Sequence, residues 1–257
     1  MGMAQRWKAF WEGDPRDLEP ARKLDLLTGY NVRELGGYAV DGGVTQYRRF
    51  LRSGGLDTLS RQDQQRLHTY GVRLVVDLRG DHEVGVAHDQ LAHMRDVRFL
   101  HASLFDLDMS DPRLERGSDE GSYFTLGYLT MLGNHDAIRR IFSFFATAGE
   151  DECVLFHCAA GMDRTGVTAM LLLGLAGASR ERIIADYCYS FGSVAEVDRM
   201  VLQGKKSDRR ELLLRHEAMA ITYDRLIGAY GSPERFLLHC GVTREELDHV
   251  RAHLLST

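Results

Sequence analysis

Excess positive charge is the first thing this chain lacks: 32 Lys and Arg stand against 37 Asp and Glu in 257 residues, a net charge of −5. That balance excludes a basic protein that coats nucleic acid. Long hydrophobic runs are also missing. The longest uncharged apolar stretch, Gly166 to Ala178, falls short of the roughly 20 residues that span a bilayer, so no stable membrane insertion is expected. The N-terminal stretch MGMAQRWKAFWEGDPRD has no apolar core of signal-peptide type, and Arg6 stands where a myristoylation signal wants Ser or Thr; a cytoplasmic protein is expected. Cysteine is scarce. Cys153, Cys158, Cys188 and Cys240 are too few and too scattered for a disulfide framework, and none forms a C-x-x-C pair that would suggest zinc. A cysteine that matters here therefore acts as a reactive thiol. Internal repeats, low-complexity tracts and a linker between domains are absent as well, so residues 1–257 read as one domain. Its composition, 44% hydrophobic and 27% charged, is that of an ordinary globular chain able to bury a core.

What is present reads as an α/β chain. Residues 1–28 read as a leader helix or strap. Asp41-Gly42-Gly43 between β-type residues signals a hairpin turn, and with Tyr47 to Leu51 as a second strand it predicts a small N-terminal β-meander. Ser60 caps a short helix that Gly71 ends, ahead of a strand at Val72 to Asp77. Further strands at Val97 to Leu100 and Val154 to Phe156 complete a short, mostly parallel central sheet flanked by helices, one of them spanning 122–147. The acidic, Gly- and Ser-containing stretch 103–121 reads as a loop or lid. From residue 165 the C-terminal part is helical, over 165–177, 180–190 and 208–229, then after Ser232-Pro233 and after Thr243. Met170 to Leu173 marks the helix that packs on the sheet.

The chemistry is concentrated in His157-Cys158-Ala159-Ala160-Gly161-Met162-Asp163-Arg164-Thr165-Gly166, which follows a short apolar strand and opens an apolar helix. In that context the loop from Ala159 through Arg164 can curl so that successive backbone N–H groups converge at the positive end of a helix dipole, a cradle for a phosphate-sized anion. The same field and the Arg164 guanidinium favour a thiolate at Cys158. Arg164 offers a planar fork for two phosphoryl oxygens, and Thr165 can donate its hydroxyl to the sulfur. His157 either orients the loop through its ring or is a satisfied buried histidine. His239-Cys240 serves as an internal control: Arg244 follows at the wrong spacing, so Cys240 reads as an ordinary thiol. His82, His88, His93 and His101 show no ligand-like pairing and read as solvated, with no metal expected. Lys205-Lys206-Ser207-Asp208-Arg209-Arg210 reads as a solvated helix start, with contact to an acidic peptide or lipid head group as the lesser alternative.

The segment His157–Gly166 resembles the H-C-x5-R-[ST]-G signature of cysteine-dependent tyrosine and dual-specificity phosphatases, and more narrowly an atypical bacterial branch whose loop reads H-C-x-x-G-K-D-R-T-G. Asn31-Val32-Arg33-Glu34-Leu35-Gly36-Gly37-Tyr38, Asp77-Leu78-Arg79 with Glu83, and Ala185-Asp186-Tyr187 with Ser190 match that branch in order. The resemblance implies a cysteine-dependent phosphatase fold and a phosphoric monoester hydrolase that forms a cysteinyl-phosphate without cofactor. Phosphotyrosine proteins are the first substrate class it implies, with phosphoinositides or small phosphate esters as the alternative and inorganic phosphate as product. A weakly active phosphate-binding module is the third reading. Met162 departs from the branch, which has Lys there; this removes a cation from the pocket rim and disfavours highly anionic substrates. Three residues compete as general acid. Asp163 matches the branch's own Asp; Asp106, with Asp108 and Asp111, follows the second strand, where dual-specificity phosphatases place theirs; Asp77 is either an acid or an orienter paired with Arg79. Asn31 and Arg33, with Gly36 and Gly37, are expected to shape a tight turn behind the site, and a direct substrate contact by Arg33 is the lesser alternative.

Overall fold

Successive side chains of a strand leave opposite faces, and in the computed structural model, which describes residues 23–105, 120–190 and 209–255, this alternation sorts the strands into two cores. The strands are β1 (Arg33–Glu34), β2 (Ala39–Val40), β3 (Gly43–Val44), β4 (Phe50–Ser53), β5 (Val72–Asp77), β6 (Arg98–His101) and β7 (Cys153–His157). Phe50, Leu74, Val76, Val154 and Phe156 face the larger core. Leu51, Val75, Cys153 and Leu155 face the smaller one. Five strands form one sheet in the order β1-β4-β7-β5-β6, all parallel except β1. Helix α1 (Arg61–Tyr70) covers the smaller core through Leu67, and α2 (Asp81–Val86) is a single short turn after β5. The other face carries α3 (Glu120–Gly133), α4 (His135–Phe145), α5 (Asp163–Leu175), α6 (Arg180–Tyr189), α7 (Arg209–Tyr230), α8 (Pro233–His239) and α9 (Arg244–Leu254).

The register brings Ser53, His157 and Asp77 side by side at the carboxyl ends of β4, β7 and β5. Loops leaving those ends converge above the sheet, the usual place for a ligand in an open α/β fold. Helix α5, which starts there, is buried almost all round from Thr165 to Leu173, in keeping with its apolar sequence.

Two expectations need correction. The hairpin closes on Asp41 and Gly42, but the strand expected at Tyr47 to Leu51 forms at Phe50–Ser53 and enters the central sheet between β1 and β7. All four of its residues are buried, so it lacks the alternation that marks a half-exposed strand. The helix expected over 122–147 is two helices, because Asn134 leaves helical geometry after Gly133 and its side chain accepts from the Ala137 amide at the start of α4. Among the described residues no helix is long and apolar enough to cross a membrane.

The described end of the strap is tied to α1 by Asp63, whose carboxylate accepts from the Leu27 and Thr28 amides at 3.1 and 2.8 Å and from the Thr28 hydroxyl at 2.6 Å. Burial pulls this carboxyl upward, but the Thr28 and Leu27 donors and the Ser60 hydroxyl outweigh it and lower its pKa to about 2. A depressed folded-state pKa means that the stabilisation is complete above the ordinary carboxylate range and is lost as pH falls toward 2. Asp63→Asn is therefore expected to lower unfolding free energy by about 1–3 kcal/mol near neutrality. In denaturant titrations across pH, the gap to wild type should close between about pH 4 and pH 2.

Candidate active site

Strand β7 delivers Cys158 to the head of α5 through the five-residue turn Cys158–Met162. Three successive carbonyls of that turn are held from outside. Ala159 O accepts from the Gly55 amide at 2.8 Å, Ala160 O from Asn31 Nδ2 at 3.1 Å, and Gly161 O from both Asn31 Nδ2 at 3.0 Å and an Arg52 terminal nitrogen at 2.9 Å. The amides of residues 159–162 have no protein acceptor among the described residues, and the peptide planes turn the amides of 160–162 away from the anchored carbonyls, as an oxyanion cradle requires. Gly161 sits at φ +66°, and a Cβ there would lie 2.5 Å from the Gly54 nitrogen and the Ser53 carbonyl. No other residue fits.

Cys158 is buried, and Thr165 Oγ1 donates to its Sγ at 3.1 Å. Arg164, only 11% exposed, is gripped by both oxygens of Glu83, one contact measuring 2.9 Å. Glu83 is itself fixed by accepting from the Gly80 amide at 2.8 Å. Burial works against both charges; the hydrogen-bonded pairing outweighs it, raising the Arg164 pKa and lowering that of Glu83. The guanidinium is permanently charged and oriented before any substrate arrives, and the pair leaves most of its five N–H donors for phosphoryl oxygens.

His157 is wholly buried and bonded on both sides, with Nε2 2.8 Å from Asp89 Oδ2 and Nδ1 3.4 Å from the Cys158 carbonyl. These contacts satisfy the ring and tie it to the loop backbone at Cys158. Asp77 lies 3.8 Å from the same Nε2, and both of its oxygens accept from Arg79, at 2.7 to 3.1 Å. Burial raises the Asp77 pKa, but the Arg79 hydrogen bonds and the His157 ring lower it overall. These contacts pair Asp77 with Arg79, as an orienter would be. Asp77, Asp89 and His157 have metal-ligand chemistry within 4.8 Å of one another, yet Arg79 already occupies both Asp77 oxygens, so the trio is a hydrogen-bonded brace. His101, read as solvated, is half-buried with Nε2 2.7 Å from the Arg79 carbonyl. His82, His88 and His93 are exposed.

Asn31, at φ +55°, and Arg33 do lie behind the turn. Arg33 is buried, and its terminal nitrogens donate to Asn31 Oδ1, the Asp186 carbonyl and Ser190 Oγ. Burial and the neighbouring Arg52 lower its pKa to about 10. Asp186 takes Arg52 in an ion pair and accepts from Tyr38 OH at 2.8 Å; burial opposes its charge, but Arg52 and Arg33 outweigh that and lower its pKa.

Asp163 begins α5. Its Oδ1 accepts from Tyr128 OH at 2.6 Å, Arg215 at 2.6 Å and Tyr187 OH at 3.4 Å, and the two phenols also touch one another. Burial and the nearby Asp163 charge hold both tyrosines protonated. The close approach of Tyr187 requires Gly166, where a Cβ would lie 2.7 Å from the Tyr187 ring. Asp106, Asp108, Asp111, the cluster Lys205–Arg210 and nearly all of the 103–121 stretch fall outside the residues described in full. Arg52, Asp89, Tyr128 and Arg215 were missed by sequence reasoning. Arg52 alone left a trace, as a charged residue inside an apolar strand.

A model of the tyrosine phosphatase family matches residues 24–256. A Cupriavidus necator protein that carries the name of a tyrosine-protein phosphatase is 35% identical over 166 residues, and the match spans 62% of this chain and 60% of that relative's length. The tyrosine-protein phosphatase of Nostoc commune is 32% identical over 225 residues, covering 80% of this chain and 74% of its own. The triple specificity protein phosphatase PtpB of Mycobacterium tuberculosis is 27% identical over 281 residues, covering 90% and 98%.

The geometry of the turn makes Gly161 a direct probe of the cradle. Gly161→Ala is expected to weaken phosphate or vanadate binding at least about tenfold, from a left-handed backbone cost of roughly 1–2 kcal/mol plus the backbone clash. Calorimetric titration with the anion checks it.

Proposed function

The chain belongs to the tyrosine phosphatase family, and we propose that it hydrolyses phosphotyrosine in proteins through a phosphocysteine formed on Cys158. The observation that carries this reading is the buried Cys158 sulfur, to which Thr165 donates, in a turn whose carbonyls are anchored by Gly55, Asn31 and Arg52, with Arg164 held in place by Glu83. In the first step the thiolate attacks phosphorus and the ester oxygen leaves. Loop amides from Ala159 to Arg164 and the guanidinium hold the equatorial oxygens, whose charge they match better in the transition state than in the ester. Asp163 protonates the leaving oxygen. In the second step water attacks the phosphocysteine, Asp163 takes its proton, and the Thr165 hydroxyl stabilises the departing sulfur before inorganic phosphate leaves. Asp106 stays the alternative acid.

Met162, where a Lys would add a rim cation, is half-buried against the larger core. That supports a singly phosphorylated aryl substrate over a phosphoinositide. The family match over residues 24–256 supports one phosphatase domain, and four free thiols suit a reducing, cytoplasmic setting.

A panel of phosphotyrosine peptides, phosphoinositides and an aryl phosphate tests the assignment. Activity confined to the inositides would overturn the substrate class. Cys158→Ser should abolish turnover, a loss of at least about ten-thousandfold, while phosphate binding persists; retained hydrolysis would overturn the mechanism. Cys240→Ser should stay near wild type, since burial pushes that thiol up to about 12 and leaves it unreactive. Met162→Lys is expected to raise kcat/KM on polyphosphorylated inositides more than on a phosphotyrosine peptide, in a salt-sensitive way, by about 1 kcal/mol per added substrate charge.

A further inference from the structure

Three helices distant in sequence meet at one oxygen of Asp163. Tyr128 comes from α3, Tyr187 from α6 and Arg215 from α7. Arg215 opens the buried stripe of α7, followed at helical spacing by Met219, Thr222 and Leu226, so the face that docks α7 on the core also carries the guanidinium to the head of α5. The Arg215 guanidinium is fixed a second time by lying over the Phe124 ring, 4.3 Å from its centroid. It is the one charged donor on Asp163 among the described residues, and with the phenols it commits Oδ1. Oδ2 has no hydrogen-bond partner among those residues.

We propose that Arg215 is the positioning residue of the general acid: it locks Oδ1 of Asp163 so that Oδ2 alone exchanges the catalytic proton. This rests on the reading of Asp163 as that acid. As the S–P bond forms and the P–O bond to the leaving group breaks, the proton on Oδ2 passes to the departing oxygen. As water then forms its P–O bond and the S–P bond breaks, the water's proton returns to Oδ2, and the carboxyl is restored. Without Arg215 the carboxylate turns about its own axis between the two phenols and the pocket, and the geometry needed for proton transfer is populated less of the time.

The consequence appears only where the leaving group needs a proton. A series of aryl phosphates, from p-nitrophenyl phosphate, whose phenol is acidic, to phenyl phosphate and phosphotyrosine, separates the cases by kcat/KM. Asp163→Asn should lose about a hundredfold or more on the poor leaving groups and little on the good one. Arg215→Met should show the same dependence at about tenfold, Arg215→Lys should recover part of the loss, and Asp163→Asn/Arg215→Met should be no slower than Asp163→Asn alone. Phe124→Leu, which keeps the guanidinium and removes its support, should give a smaller loss of the same form. An equal loss on every substrate in the Arg215 variants, or losses that multiply in the double variant, would overturn the positioning role while leaving the acid in place. A flat response of Asp163→Asn across the series would overturn the acid reading and this inference with it.

Discussion

The outward anchoring of three carbonyls, at Ala159, Ala160 and Gly161, is the constraint on which the site depends. A backbone carbonyl and the amide that follows it share a plane and point opposite ways, so fixing the carbonyls on Gly55, Asn31 and Arg52 turns the amides toward the space above Cys158. The anchors draw on a buried cluster of two guanidiniums, Arg33 and Arg52, against one carboxylate, Asp186. Buried ion pairs are a poor source of stability, because desolvation offsets most of the attraction. Arg52 Nε even lacks an acceptor among the described residues. The cluster makes sense as a brace that fixes one shape for the turn and leaves uncompensated positive charge beneath an anion site.

Around that turn, the remaining parts follow from strand register. Asp77 and Ser53 flank His157 across the sheet, so the residues that brace the loop on one side come from β5 and those that anchor it on the other come from β4 and the chain before β1. Asp89 closes the brace on His157, and Arg164 takes its orientation from Glu83 on the short α2. Arg164, Arg79 and Asp163 each have an opposite charge fixed against them before a substrate enters, which is the preorganisation that makes electrostatic stabilisation effective. Gly166 acts by what it omits, since the missing Cβ admits the Tyr187 ring and lets α6 reach the head of α5.

The sheet strands β5 to β7, the apolar helix after the turn and the Cys158 to Thr165 constellation were legible in the sequence because their signals are local: short β-branched runs, an apolar helix, fixed spacing in one loop. What stayed hidden was long-range or two-sided. Phe50–Ser53 is buried on both faces and so shows no alternation, which moved it out of the central sheet in the sequence reading. The break at Asn134 was masked by strong helical residues on either side. Asp89 lies 68 residues from His157 and Arg215 lies 52 residues from Asp163, separations at which a polar residue carries no mark of its partner. Arg33 and Asn31 stood out by their motif, but only the packing shows that Asn31 touches the turn after Cys158 and Arg33 supports Asn31 from behind.

Asn31 tests the central claim most directly, because its side chain holds two of the three anchored carbonyls and lies outside the set of groups that would touch phosphate. The measurement is the affinity of Asn31→Ala for inorganic phosphate by calorimetry, alongside its thermal unfolding. Losing two hydrogen bonds of about 0.5–1.5 kcal/mol each should weaken phosphate binding about tenfold or more while the melting temperature shifts by only a few degrees. An affinity equal to that of the unmodified protein would contradict the account, since the cradle would then keep its shape without the anchor.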